Sequence, residues 1–413
     1  MRKIKVLVVP SDREGVGYFR SIKPHVHMRE NYADLFDIDI EFDPSIADGN
    51  DEWLTDYDII HYHKTLGETE KLPNLLEKLD KAGVVTIMDI DDHWVLSPYH
   101  PNYATNKVKG LEKEGLHHIK IAKHITTTTS LFADEIRKHS KNVYVIPNAI
   151  DPDEKQFKPQ HEPSDRIRIG WLGGSTHVKD LEILKGMVGR CKNDGLLDKI
   201  QFVLCGFSVD GHANIINKKT GEIVKRSIKP TESQWFEYEK IFTDDYKIVS
   251  KPYKDFLLSF SKQEYPHVAN EAYRRVWSLP VSHYALNYRL FDIALAPLHE
   301  SMFNQCKSQL KILEAGFHKK AIIAQDFGPY RLDTVNAYGS HGEWNPEGNC
   351  VLIDSRKNTK DWYKFIKYLV DSPELIQQLG SNLYETVKET YSIKKVTEDR
   401  KNLYLRLVDG LNK

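Results

Sequence analysis

Short aliphatic and β-branched runs recur along the first third of the chain, separated by segments whose apolar positions fall at helical spacing. Lys5–Val9, Tyr57–Tyr62, Val84–Met88, Ile125–Thr129 and Val143–Ile146 read as strands, and Pro73–Lys81 and Leu131–His139 as helices. The strands carry little polar alternation, which suits burial on both faces. Parallel strands also need a crossover between them, so strand–helix–strand alternation predicts a parallel α/β sheet covered on both sides. Pro147-Asn148-Ala149-Ile150-Asp151 closes this half. Residues 152–165, PDEKQFKPQHEPSD, are polar and proline-rich, the composition of a linker.

A second alternation follows. Ile167–Leu172 and Phe202–Cys205 read as strands and Asp180–Cys191 as a helix. Regularity returns with Phe291–Ala296, the helix Leu310–Ala315 and the strand Ala321–Ala324. Between them, residues 207–283 resist a periodic reading. Lys218–Lys225 looks like a hairpin and Trp235–Trp277 like loop and helix, so much of this stretch is expected to be an insertion. From Asp361 the tail is helical, with a break near Tyr391-Ser392. No repeat of the length that builds solenoids is visible. The expected architecture is α/β with two Rossmann-like domains, residues 1–151 and 166–391, joined by 152–165.

The length of 413 residues agrees with two domains, and 40% hydrophobic residues suffice for two cores. Lys+Arg 58 against Asp+Glu 59 leaves a net charge of -1, so no global field drives the chain onto nucleic acid or an acidic membrane. Cys191, Cys205, Cys306 and Cys350 have neither metal-ligand spacing nor the density of a disulfide framework, and fit a reducing, cytoplasmic setting. The opening MRKIKVLVVP has too short an apolar run for a signal peptide and reads as the first strand. No run approaches the roughly 20 apolar residues of a membrane span.

Candidate chemistry clusters at strand ends. SDREGVGYFR follows the first strand. Gly15 and Gly17 could let the backbone approach a ligand, or simply make a tight turn, and Arg20 occupies the third glycine position of a dinucleotide loop. His61 and His63 alternate onto one face of a strand end, where ligand contact is favoured over metal because no third ligand has suitable spacing. In DIDDHW, Asp89 and Asp91 share a face, with Asp92 and His93 beyond. Metal binding, helix capping and acceptor positioning in a cleft are the alternatives, with the cleft favoured. In TTTTS, Ser130 is expected to cap the following helix. IGWLGGSTHVKD combines Gly173, Gly174, Ser175, Thr176 and Lys179 in one strand-end turn, a phosphate signal. NQCKSQLKILEAGFHKKAIIAQD starts a helix beside Lys307 and Ser308, which suits a phosphate, and places Glu314 two turns on, where it could hold ribose hydroxyls. Lys311 is either a further phosphate contact or a solvated lysine.

In their order along nearly the whole chain, YDIIHYH, TIMDIDD, VIPNAID, IGWLGGSTHVKD, FDIALAPL and KSQLKILEAGFHKKAIIAQD resemble the GT-B glycosyltransferases, in particular the retaining family 4, or glycosyl transferases group 1, of bacterial and bacteriophage type. The resemblance implies a cleft between the domains, with helix 392–413 crossing back onto the first. It implies transfer of a sugar from a nucleotide-diphosphate sugar to an acceptor hydroxyl, with retention and without a metal or other cofactor. The donor would be held by Gly15, Gly17, Gly173, Gly174, Ser175, Lys179, Lys307, Ser308, Lys311 and Glu314. Asp89, Asp91 and His63 would position the acceptor, a glycan or small molecule. One departure stands out. The family carries two glutamates eight positions apart. Glu314 matches the second, but Cys306 stands at the first, where the donor sugar would be touched, and Glu300 lies six residues earlier. Alternatives are modification of hydroxymethylated phage DNA through a patch of Lys218, Lys219, Lys225, Arg226 and Lys229, a nucleotide-sugar epimerase, and a sugar-nucleotide-binding protein without catalysis. The solvated hairpin is the favoured reading of the patch, and DNA is not favoured. The location implied is the cytoplasm, that of the host for a phage protein.

Overall fold

The computed structural model describes residues 2–42, 49–217, 220, 222–339, 342–354 and 359–411. Six strands form the first sheet: β1 Ile4–Val9, β2 Phe36–Ile40, β3 Ile59–His63, β4 Val85–Ile90, β5 His124–Thr127 and β6 Val143–Val145. All pair in parallel, in the order β2-β1-β3-β4-β5-β6. Alternate residues sort onto the two faces. Leu7, Val9, Ile60, Tyr62, Met88 and Ile90 pack with Leu75, Leu79, Phe132 and Ile136 on one side. On the other side Val6, Val8, Ile59 and Ile87 pack with Val396, Leu403, Tyr404 and Leu407. The C-terminal helix Ile393–Leu411 therefore crosses back and covers the first sheet, as the resemblance implied.

The second sheet contains β7 Ile167–Leu172, β8 Ile200–Phe207, β11 Tyr273–Trp277, β12 Ile293–Ala296, β13 Ala321–Asp326 and β14 Val351–Asp354. It too is parallel, in the order β11-β8-β7-β12-β13-β14. The hairpin β9 His212–Ile216 with β10 Ile223–Ser227 stands apart from both sheets. Each large sheet reverses its strand order once, between β1 and β3 and between β7 and β12. In such sheets ligands bind outside the carboxyl ends of the strands at these switch points.

Several elements differ from expectation. Phe36–Ile40 is an edge strand in which Phe36 and Ile38 are buried and both aspartates exposed. Asp180–Cys191 is not one helix but two, Val178–Glu182 and Met187–Asn193, interrupted at Gly186, which has a left-handed φ of 87°. Most of 207–283 is integral to the second domain. Helices Gln234–Thr243 and Lys251–Leu258 lead into β11, which pairs with β8, and only the hairpin projects. Lys218 and Lys219 lie outside the described residues. Arg226 of the expected basic patch is paired with Glu232 at 2.8 Å. The cap of helix Ser130–Arg137 is Thr129, whose hydroxyl accepts the Phe132 N–H at 3.2 Å, one residue before the expected Ser130. Within 152–165, Phe157 is buried against Phe19 and Tyr288 of the two domains. Among the described residues no helix is long and apolar enough to cross a membrane.

Candidate functional site

A cleft of about 760 Å³ opens between the carboxyl ends of the two sheets. Loops after β1, β4 and β7 and Gly206 of β8 reach it, as do the segments around 278–287 and 303–314.

The wall from the second domain centres on helix Leu310–Phe317. Its buried side carries Ile312, Leu313, Ala315 and Phe317, which fix it against β12 and β13. Its N-cap Gln309 offers no side-chain acceptor to the first turn, so orphan N–H groups and the positive dipole end face the region of Lys307 and Ser308. Both residues line the cleft, with Lys311 and Glu314 one and two turns on. Lys311 is not the solvated lysine of the alternative reading. Its ammonium donates to the Leu172 carbonyl and sits 5.0 Å over the Trp171 ring. Burial pushes it down to about 8, an effect Glu314 opposes and Lys307 reinforces. Glu314 is 3% exposed and accepts hydrogen bonds from Tyr284 Oη and, at 3.0 Å, from Tyr288 Oη. Burial holds its carboxyl above the usual range, with Lys311 and both tyrosines pulling it back.

The loop after β7 brings Gly173, Gly174, Ser175, Thr176 and His177 to the same cleft. A side chain at Gly173 would meet the Trp171 ring at 2.5 Å and Lys311 Nζ at 3.0 Å, so glycine there lets Lys311 pass. His177 Nδ1 lies 2.6 Å from Asp180 Oδ2, and Asp180 Oδ1 accepts from the His299 N–H at 2.8 Å and Asn304 Nδ2 at 2.9 Å. This buried carboxylate fastens three segments of the wall. Burial, with Lys307, pushes His177 down to about 4, so near neutral pH its ring is uncharged. Lys179 does not reach the cleft. It pairs with Glu182 at 2.6 Å and lies 4.6 Å over Tyr99.

In the loop after β1, Gly15 lines the cleft and Gly17 does not. Gly17 packs its α-carbon against the Asp12 carbonyl, and its N–H, like that of Glu14, is accepted by Asp12 Oδ1 at about 3 Å. It serves the tight turn. The loop delivers Arg20, whose guanidinium donates to the Ile146 carbonyl at 2.6 Å and Asn148 Oδ1 at 3.2 Å. Asn148 Nδ2 in turn donates to Ser308 Oγ at 3.1 Å, joining the two domains beside the helix N-terminus.

The acceptor group expected at Asp89, Asp91 and His63 divides. Asp89 is fully buried outside the cleft lining. Arg20 grips it at 3.0 and 2.7 Å, and Thr126 Oγ1 donates to it at 2.6 Å, so it positions Arg20 and cannot meet an acceptor. Asp91 lines the cleft. His63 Nε2 at 3.0 Å and Lys64 Nζ at 2.9 Å contact its Oδ1. Burial alone would raise Asp91, but Lys64 and His63 outweigh it and hold the carboxyl well below the usual range. His63 stands behind Asp91 rather than in the cleft. Asp92 also lines the cleft, its carboxyl raised by burial and by the charge of Asp91. His61 points away, bonded at 2.9 Å to Tyr404 Oη of the C-terminal helix. Among the described residues no group of three or more His, Cys, Asp or Glu is placed to hold a metal ion.

Cys306 is 1% exposed and packs with the core of the first domain, its thiol pushed up to about 12 by burial. The position expected to touch the donor sugar is therefore turned out of the cleft, and Phe303 and Lys307 form the wall there. Sequence reasoning missed Arg20, Asn148, His177, Tyr284, Tyr288 and Asp180. Arg20 left a signal at the third glycine position of its loop, and Asn148, His177 and Asp180 lie within the motifs VIPNAID and IGWLGGSTHVKD.

No family model matches the chain, and no curated protein matches it in sequence. Its fold matches solved structures along their full length. Sucrose-phosphate synthase from Thermosynechococcus elongatus is 12% identical over 99% of this chain and 100% of its own, with a TM-score of 0.57. Anabaena HepE in complex with UDP-glucose is 11% identical over 97% and 99%, with a TM-score of 0.58. The catalytic domain of starch synthase IV from Arabidopsis thaliana, bound to ADP and acarbose, is 12% identical over 98% and 99%, with a TM-score of 0.58. The chain therefore has the GT-B fold, two parallel six-stranded α/β sheets facing across a cleft.

Proposed function

We propose that the protein is a glycosyltransferase that moves a sugar from a nucleotide-diphosphate donor to an acceptor hydroxyl. The observation that carries this reading is the meeting, in one cleft, of a buried carboxylate, Glu314, with a helix N-terminus flanked by Lys307, Ser308 and Lys311. Glu314 binds the ribose hydroxyls as acceptor. Lys307, Lys311, the first-turn N–H groups and the glycine loop 173–177 surround the diphosphate, where negative charge grows as the glycosidic bond breaks. HepE is solved with the nucleotide sugar UDP-glucose and starch synthase IV with the nucleoside diphosphate ADP, the donor and leaving-group chemistry of this reading.

The reaction proceeds with retention. The bond from the anomeric carbon to the diphosphate oxygen breaks, the acceptor oxygen bonds the same face of the carbon, and its proton passes to the departing phosphate. Fixed cations meet the developing charge, so no divalent metal is required. Asp91, held by Lys64 and His63, lies on the side of the first domain and positions the acceptor hydroxyl, a glycan or small molecule. Incubation with UDP-, ADP- and GDP-sugars tests the reading by release of nucleoside diphosphate, with EDTA leaving the rate unchanged. Product anomers identified by NMR test retention. An inverted product, or a chelator-sensitive rate, would contradict the corresponding step.

A further inference from the structure

A second cavity, of about 370 Å³, lies at the other end of the second sheet and shares no lining residue with the cleft. Its floor is formed where Asp292 and Lys320 immediately precede β12 and β13, with His318 beside them and His161, Lys319 and Gln377 at the rim.

Three observations make this floor unusual. Lys320 is only 6% exposed, and its ammonium makes no hydrogen bond or ion pair with another described residue. Asp292, the carboxylate that bears on it, is committed elsewhere. Its Oδ2 accepts the Arg168 N–H at 2.7 Å, and its Oδ1 lies 3.6 Å from His161 Nδ1. His318 is 2% exposed, stacks flat on Tyr288 at 5.0 Å and 11°, and neither ring nitrogen completes a hydrogen bond. The Gln156 carbonyl approaches the ring without reaching that geometry. Buried cations and unpaired imidazole nitrogens are costly unless something meets them. Burial, with Arg168 adding to it and Asp292 opposing, pushes the Lys320 ammonium down to about 8, the mark of a cation short of a counter-charge. The volume falls at the small end of ligand pockets, about 300–1,000 Å³.

We infer that this cavity binds a small phosphate- or carboxylate-bearing anion, held by the Lys320 ammonium with Lys319 at the rim. The site is separate from the donor cleft and stands whether or not the chain transfers sugars.

Peptide-level mass spectrometry of the wild-type chain after brief treatment with an amine-acylating reagent reads the site directly. Inorganic phosphate and citrate are added in separate arms, with sodium chloride at matched ionic strength as the reference. Protection of Lys320 at least several-fold beyond the chloride arm, by either anion, is the expected result. Equal labelling in all arms would overturn the proposal, as would equal protection by chloride. Isothermal titration with the same anions should show one binding event that Lys320→Met removes, while events in the cleft persist. An unchanged isotherm in a folded Lys320→Met variant would also overturn it.

Discussion

Lys311 joins the carbonyl end of β7 to the helix that carries Glu314, and burial pushes its ammonium down to about 8. It is charged below that value and neutral above it. Donor affinity is therefore expected to fall as pH rises through about 8, seen as a rising KM, and Lys311→Met should flatten this limb while costing about 1.5–3 kcal/mol of donor binding. A KM flat from pH 7 to 9 in the wild type would remove Lys311 from the phosphate contacts. Asp89 is expected to matter for stability. Asp89→Asn leaves the Arg20 guanidinium buried without its counter-charge, a loss of about 3–5 kcal/mol measurable by urea unfolding. Near wild-type stability with a collapsed turnover rate would restore Asp89 as an acceptor contact. Local pattern reached Glu314, Lys307, Ser308 and the glycine loop because each sits in a strand–turn–helix context legible over a dozen residues. It could not reach Tyr284 and Tyr288, which precede Glu314 by 30 and 26 residues and meet it only through packing. Nor could it separate Asp89 from Asp91. Both carry the same charge on the same face of one strand end, and only the arrival of Arg20 from another loop buries one and leaves the other in the cleft.

Among the elements, helix Leu310–Phe317 is set by close contact with helix Pro373–Val387. A methyl group at Gly316 would lie 2.7 Å from Val387 Cγ2 and 3.1 Å from Leu383 Cγ. Gly316→Ala should cost about 1–3 kcal/mol by overpacking. It should also weaken nucleotide binding, because the same helix presents Lys311 and Glu314. Calorimetry and nucleotide titration check the two effects. A neutral substitution would mean the two helices separate freely. The central strands were readable because burial on both faces writes an uninterrupted apolar run, as in Val6–Val9 of β1 and Ala321–Ala324 of β13. The edge strands β2 and β11 write no such run. β2 alternates phenylalanine and isoleucine with aspartate, and β11 reads as YRRVW, its arginines paired with Glu162, Glu264 and Glu239. Their strand character comes from the neighbouring strand, which explains why 207–283 looked like an insertion.

At the level of the whole molecule, the C-terminal helix is a structural part of the first domain. Tyr404 bonds His25 at 2.7 Å and His61 at 2.9 Å, and Leu403 and Leu407 pack on the sheet. Deleting residues 393–413 would uncover that face, and the expected outcome is loss of the cooperative near-UV CD transition and soluble yield. A truncated chain with a native transition would contradict the packing. The cleft depends on both domains, since Asn148 of the first reaches Ser308 of the second. The central claim is that this cleft turns over nucleotide sugars with Glu314 as its ribose ligand. The decisive measurement is nucleoside diphosphate release from UDP-, ADP- and GDP-sugars by the wild type and by Glu314→Gln, each with binding of the free nucleoside diphosphate followed by calorimetry. The wild type should bind and turn over at least one donor, and Glu314→Gln should lose at least about tenfold in nucleotide affinity, the equivalent of about 1.4 kcal/mol. Unchanged binding and turnover in a folded Glu314→Gln variant, or no binding of any nucleotide by the wild type, would contradict it.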